Sequence, residues 1–160
     1  MKVSRLAQVL SPLTASRPAS WFFLNVANPI DKRLIPATNG RLSTAPGTPV
    51  LVIEHVGAKS GKRRRTPLTY VRDGDDLALI ASAGGSTKHP AWCHNLRAHP
   101  EVRVWARRRS GRYRAQEVAG EDRERLWRKA TALYPGYDTY QVRAGSRRIP
   151  VFRLTPVGES

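Results

Sequence analysis

Short apolar runs separated by turn residues at hairpin spacing constrain this chain more than any other feature. Residues 66–72 and 76–81 flank Asp73-Gly74, a turn pair whose glycine admits the positive φ of a tight hairpin. Residues 100–107 and 112–118 flank Ser110-Gly111 in the same way. Residues 49–56 precede them and are apolar on both faces, as a strand buried on both sides should be. Residues 148–154 return as a last strand. Six short strands joined mostly by hairpins predict an α+β fold built on a small closed or half-closed antiparallel barrel.

Helical signals fill the remaining stretches. Pro90 suits the first position of a short helix that runs to about residue 98. Residues 121–133 read as a helix with acids in the first turn and cations in the last, which the helix dipole favours. Leu126, Trp127, Ala130 and Leu133 form one apolar stripe on it. Upstream, Trp21-Phe22-Phe23-Leu24, Asn28-Pro29 and Lys32-Arg33-Leu34 indicate an amphipathic helix over residues 19–34, broken near Pro29 and followed by a Gly/Ser/Thr/Pro loop. Such a helix either covers one end of the core or lies on a membrane surface, with Trp and Phe at headgroup level. The expected organisation is an N-terminal segment and loop over residues 1–47, a barrel domain over 48–156 and a tail over 157–160.

No apolar run approaches the roughly 20 residues that a spanning helix needs. The run at residues 6–10 is too short for a signal-peptide core. Cys93 is the only cysteine, which excludes an intramolecular disulfide and points to a reducing, cytoplasmic setting. Against 12 acidic residues stand 28 cations, a net charge of +16. Of the cations 22 are Arg, whose planar fork matches phosphate and carboxylate, although a GC-rich genome would produce the same skew. The partners this admits are nucleic acid, an anionic membrane surface or an acidic small molecule. Arg107-Arg108-Arg109 and Arg112-Tyr113-Arg114 make a basic hairpin with generic affinity for nucleic acid, but no recognition signature accompanies it.

Chemistry concentrates between residues 56 and 95. Gly57-Ala58-Lys59-Ser60-Gly61-Lys62 fails the P-loop pattern, because three residues separate its glycines, Arg63 follows Lys62 and a strand comes next. Its flexibility, the Ser60 hydroxyl and the five cations between Lys59 and Arg65 still suit either an open anion nest or a solvated hairpin tip. Ser82-Ala83-Gly84-Gly85 stands where a strand stops and a helix is about to begin, a second place for an anion, or a plain loop. His89, His94 and His99 are five apart and diverge around a helix, so they make no metal site. Tyr134, Tyr137 and Tyr140 lie three apart. They either pack into the core or converge on a pocket as stacking faces and proton donors, and Pro135-Gly136 favours a loop there.

Taken in order, Gly57-Ala58-Lys59-Ser60-Gly61, Arg64, Pro67-Leu68-Thr69-Tyr70, Ser82-Ala83-Gly84-Gly85, Pro90-Ala91-Trp92, Asn95-Leu96, Pro100, Tyr134-Pro135, Tyr137, Tyr140 and Arg148-Ile149-Pro150-Val151 resemble the deazaflavin-dependent nitroreductase family of actinobacteria. The resemblance spans roughly residues 48–156. It implies a split β-barrel like that of the flavin-binding pyridoxine-phosphate-oxidase relatives, and binding of coenzyme F-420, an 8-hydroxy-5-deazaflavin with a phosphate and a polyglutamate tail. By position, Lys59, Ser60, Gly61, Arg64 and Thr66 would hold the phosphate and tail. Pro67, Ser82, Ala83, Gly84, Gly85, Trp92 and Asn95 would line the deazaflavin cleft. Tyr134, Tyr137 and Tyr140 would close over the substrate beside Ser82, one of them orienting it or supplying a proton.

The chain departs from the family where Ala58 replaces a frequent Arg and Ala83 a frequent Lys, each a charge-assisted contact of about 1.5–3 kcal/mol. Lys62, Arg63 and Lys88 are the nearby cations. The implied reaction is hydride transfer to an electron-poor acceptor: a quinone, a nitroaromatic, or an enone or unsaturated lipid. The alternatives are a flavin-mononucleotide oxidase on the same barrel, for which five cations are more than one phosphate needs, and a non-catalytic barrel that sequesters a cofactor or binds nucleic acid. Barrels of this type often form homodimers, and an apolar acceptor would suit a peripheral position on the inner face of the plasma membrane.

Overall fold

The computed structural model describes residues 27–158, so half of the expected 19–34 helix lies outside the described residues. What is described there is helix α1, Asn28–Ala37. Pro29 stands in its first turn, where a missing N–H costs nothing. The helix also continues three residues past the expected end, to a stop at Thr38-Asn39-Gly40. There the Thr38 amide donates to the Leu34 carbonyl at 3.0 Å and the Gly40 amide to Ile35 at 2.8 Å. Gly40 has φ +78°, and a Cβ on it would come within 2.3 Å of the Ala106 carbonyl carbon. Only glycine satisfies both demands. Buried Asp31 accepts bonds from the Thr44 amide and hydroxyl, both at 2.8 Å, and so ties the following loop to the helix.

Six strands follow: β1 (Val50–Val56), β2 (Arg63–Asp73), β3 (Asp76–Ile80), β4 (Glu101–Trp105), β5 (Gly111–Glu117) and β6 (Val151–Pro156). They close in the order β1-β2-β3-β6-β5-β4, every neighbour antiparallel. This is the barrel that the hairpin spacing predicts. Alternation along the strands sorts the side chains. Leu51, Ile53, Tyr70, Leu77, Leu79, Val104, Phe152 and Leu154 fill the interior, and helix α2 (Ala91–Ala98) adds Trp92, Cys93 and Leu96 to it. The opposite parity points outward. Val52 and Trp105 meet Ile35 of α1. Val71, Ala78, Ile80 and Val151 lie under helices α3 (Gly120–Leu133) and α4 (Gly136–Ala144).

Local boundaries differ from expectation where tertiary contacts extend or end an element. β2 begins at Arg63, three residues early, because it pairs with β1 up to Val56↔Arg63. The β4–β5 connection spans five residues, not a two-residue turn, with Arg108 at φ +60°. Pro90 is extended and caps α2 from outside the helix. No cation occupies the last turn of α3, Arg128 and Lys129 lying further in. The clearest correction is α4, where Pro135-Gly136 starts a helix across a stretch expected as loop.

Asp73, at the end of β2, anchors α3 to the barrel. It accepts two bonds from the Arg125 guanidinium, at 2.7 and 2.8 Å, and one from Lys129 Nζ at 2.7 Å. The Arg125 hydrogen bonds, reinforced by Lys129, hold its carboxyl far below the usual carboxylate range. A depressed carboxylate contributes stability that is fully present above its unfolded pKa and is lost as pH falls toward the folded value. Asp73→Asn should therefore destabilise the protein by about 1–2 kcal/mol at neutral pH. Thermal melts of both proteins should show that gap intact at pH 7 and closing below about pH 4.

Candidate active site

β1 and β3 are both antiparallel to β2, so they run the same way and their following loops lie at one end of the barrel. That end carries the Gly57–Lys62 turn, the Ser82–Gly85 turn and the start of α2. Along β2 the ladder to β1 covers Arg63 to Thr69, whereas the ladder to β3 begins only at Tyr70. Half of β2 thus has a strand on one side alone among the described residues. Pro67, with no N–H to donate, falls in that half.

The Gly57 turn is internally bonded. The Gly57 amide donates to the Lys62 carbonyl and the Gly61 amide to the Gly57 carbonyl, both at 2.9 Å. The Lys62 amide meets Ser60 Oγ at 3.3 Å. Several backbone donors of the expected nest are therefore spent, which leaves side chains as the main source of positive charge. Lys59, Ser60, Gly61, Lys62 and Arg64 are exposed. Arg63 and Arg65 are already engaged by Glu54 at 3.3 and 3.0 Å, and Arg65 also lies over the Trp105 ring. Arg64 has the opposite parity and shares a face with His55 and Thr66.

Below the turn runs a buried polar chain that sequence reading missed. The Ala58 amide donates to Asn95 Oδ1 at 2.8 Å, which turns Asn95 Nδ2 toward His55 Nδ1 at 3.1 Å. His55 Nε2 must then carry the proton, and it donates to Thr66 Oγ1 at 2.9 Å. Burial first, then Arg64 and Lys32, lower the imidazole pKa to about 4, so the ring stays neutral and the chain keeps one polarity. His55 was detectable: it occupies an inward position of β1, in step with Leu51 and Ile53. Asn95 and Thr66 act here as links of this chain.

The second turn is a 3-10 turn, Ala83–Gly85, separated from α2 by five residues, so it is no helix N-terminus. Ala83 is held at φ +50°, unusual for a residue with a side chain. Gly85 has φ +83°, and a Cβ on it would lie 2.6 Å from Arg143 Cβ and 3.0 Å from the Tyr140 carbonyl. This glycine exists for the close approach of α4. Arg147, which the sequence reading did not single out, surrounds the turn. Its guanidinium donates to the carbonyls of Ala81 at 3.0 Å, Ser82 at 2.7 Å and Ser86 at 2.8 Å, and meets His89 Nδ1 at 3.1 Å.

The three phenols converge. Ring centroids are 5.2 Å apart for Tyr134–Tyr137, 6.0 Å for Tyr134–Tyr140 and 6.3 Å for Tyr137–Tyr140. The hydroxyls of Tyr134 and Tyr140 lie 3.2 Å apart. Tyr137 is buried, which together with the neighbouring phenols drives its pKa well above normal, and its side chain hydrogen-bonds Thr69 of β2. Tyr134 is half-buried. So the trio belongs to the packing under α3 and α4, with Tyr134 at its half-buried edge and Tyr137 against β2.

Of the expected site residues, Lys59, Ser60, Gly61, Arg64, Thr66 and Asn95 gather around the Gly57 turn. Ser82, Ala83, Gly84 and Gly85 gather with Tyr134, Tyr137 and Tyr140 around α4. β2 links the two groups, through Thr69 to Tyr137 and through Thr66 to His55. Trp92 joins neither: it is buried in the barrel interior, 5.7 Å from the Phe152 ring centroid. Its inward position follows from α2 plugging the barrel end, which no local pattern reveals.

Comparison with known proteins agrees with this architecture. The family model described as F420H(2)-dependent quinone reductase matches residues 30–156. An F420H(2)-dependent quinone reductase of Mycobacterium tuberculosis strain H37Rv is 40% identical over 123 residues, covering 74% of this chain and 82% of that protein. Among solved structures, an F420-H2 dependent reductase, FDR-A, superposes with a TM-score of 0.61 at 40% identity, covering 66% of this chain and 93% of that one. A second, described as a domain-swapped dimer, gives 0.64 at 34% identity, covering 86% and 98%. The chain belongs to the F420H(2)-dependent quinone reductase family.

Proposed function

We propose that this protein is an oxidoreductase that passes a hydride from reduced coenzyme F-420 to a quinone, with nitroaromatic and enone acceptors as further candidates. The observation that carries the reading is that one strand, β2, ties together an exposed cationic turn, through Thr66 and His55, and a tyrosine-bearing helix, through Thr69 and Tyr137, along its half-open edge. The donor set fits the cofactor. Lys59, Lys62 and Arg64 offer exposed positive charge to a phosphate and a carboxylate tail. The polar chain through Asn95 and His55 keeps the turn that bears them in one shape.

When bound, reduced coenzyme F-420 supplies the hydride, and the protein has to orient, enclose and protonate. Ser82–Gly85 and the β2 edge flank the space in which a planar ring would lie. Reducing a quinone to its hydroquinone requires a proton besides the hydride. Tyr134 and Tyr140 are suited to deliver it, because their hydroxyls are paired and Tyr134, half-buried, connects the pair to the surface. Tyr137 is held protonated and buried, so its part is to orient the other two rings.

Titration with oxidised coenzyme F-420 and, in parallel, flavin mononucleotide, followed by fluorescence quenching, tests the cofactor. Binding of the deazaflavin at about micromolar Kd with weaker flavin binding is expected. The reverse preference would transfer the protein to flavin chemistry, and binding of neither would favour a barrel that does not catalyse. Tyr134→Phe and Tyr140→Phe should each lower kcat for quinone reduction by about tenfold or more. Their Kd for coenzyme F-420 should stay within about twofold, and a matching loss of binding would refute the proton-donor role. Tyr137→Phe should act mainly on thermal stability.

A peripheral position at the membrane is supported by α1. Ile30 is 51% exposed there beside Lys32 and Arg33, on a shallow apolar groove formed with Pro29, Leu34 and Ala37. No helix of the described residues is long and apolar enough to cross a membrane. Apolar exposure next to cations suits anionic headgroups over an acyl layer, where lipid quinones dissolve. The protein should co-sediment with phosphatidylglycerol vesicles but not phosphatidylcholine vesicles, and Ile30→Glu should weaken this. Equal behaviour on both lipids would exclude the contact.

A further inference from the structure

We propose that Arg147 is a positioning residue that sets the Ser82–Gly85 turn in its cofactor-receiving shape and locks it to the tyrosine helix α4. This rests on the assignment of that turn to the deazaflavin cleft. One guanidinium makes four hydrogen bonds here, three to backbone carbonyls on either side of the turn and one to His89. Its planar fork reaches acceptors that diverge over six residues, Ala81 to Ser86, which a Lys ammonium cannot span in the same way.

The geometry indicates why such a clamp is needed. Ala83 sits at φ +50°, Gly84 at +62° and Gly85 at +83°, a left-handed run that is poorly supported locally. Within the turn, the Gly85 amide donates to Ser82 and the Ser86 amide to Ala83, at 3.0 and 3.1 Å. Arg147 takes up the carbonyls of Ala81 and Ser86, which these bonds leave, and adds a second bond to that of Ser82, and its charge strengthens each bond. It follows α4 directly, and Gly85 is pressed against Arg143 and Tyr140 of that helix. Arg143 in turn lies over the Tyr140 ring, 5.8 Å from its centroid. Turn, helix and tyrosines therefore form one mechanical unit. A change at Arg147 reaches both the cofactor side and the acceptor side without touching either ligand.

The test compares Arg147→Ala and Arg147→Lys with wild type, using the full chain. Three quantities are read: Kd for oxidised coenzyme F-420, amide hydrogen exchange of Gly85 and Ser86, and melting temperature. Arg147→Ala should raise the Kd by about tenfold and speed exchange at Gly85 and Ser86. Added guanidinium ion, at concentrations well below those that denature, should restore part of the affinity. Arg147→Lys, which keeps the charge and loses the fork, should lie between the two. A Kd within about twofold of wild type in both variants, or a loss that neither guanidinium nor lysine relieves and that only follows the melting temperature, would overturn the proposal. Failure of wild type itself to bind coenzyme F-420 would instead overturn the cofactor reading and this proposal with it.

Discussion

Closure of the barrel governs everything else. Once β1 pairs with β4 and β3 with β6, one parity of residues on each strand is committed to the interior. Phe152, Leu51, Leu79 and their neighbours fill that interior, and α2 closes one end with Trp92 and Leu96. The other parity must then be covered or face water. α1 covers Val52 and Trp105, while α3 and α4 cover Val71, Ala78, Ile80 and Val151. The helices are thus placed by apolar surface that the closed sheet leaves outside, and only one arrangement of them brings Tyr137 beside Thr69.

The same closure produces the site. Strands that run the same way deliver their loops toward one end, so the Gly57 and Ser82 turns both flank the stretch of β2 between Arg63 and Tyr70 although some twenty-five residues separate them. Each turn is supported by a polar device: buried His55 and Asn95 under the first, half-buried Arg147 around the second. Buried donors and acceptors are costly unless paired, so these devices hold their loops in one conformation as long as their own partners remain in place. A site that must admit a flat anionic cofactor gains from such rigidity, because little ordering remains to be done on binding.

The charge pattern gains meaning only in three dimensions. A run of five cations looks uniform along the chain, yet strand alternation divides it. Arg63 and Arg65 turn to Glu54 and Trp105, while Arg64 turns to the His55 face. Elsewhere Asp73 takes up Arg125 and Lys129, and Glu117 takes up Arg97 at 2.7 and 2.9 Å. Much of the basic excess is therefore spent on structure, and the charge left at the barrel end is the exposed part, Lys59, Lys62 and Arg64.

By itself the sequence determined the strands, since hairpin turns and apolar alternation are local properties of the chain. It also determined the identity of the cationic turn and of the tyrosine trio, whose residue types announce their chemistry. Tertiary structure alone decided the rest. Gly136 to Tyr140 became helical because α3 and the outer sheet offered apolar surface that a loop would not have buried. Trp92 was drawn inside because an open barrel end needs a plug. Gly85 is required by packing against α4, whose nearest residues lie some fifty-five positions away in sequence. Arg147 carries no local mark because its four acceptors lie 58 to 66 residues upstream. Contacts over such separations depend on how the chain closes on itself, and no local periodicity encodes them.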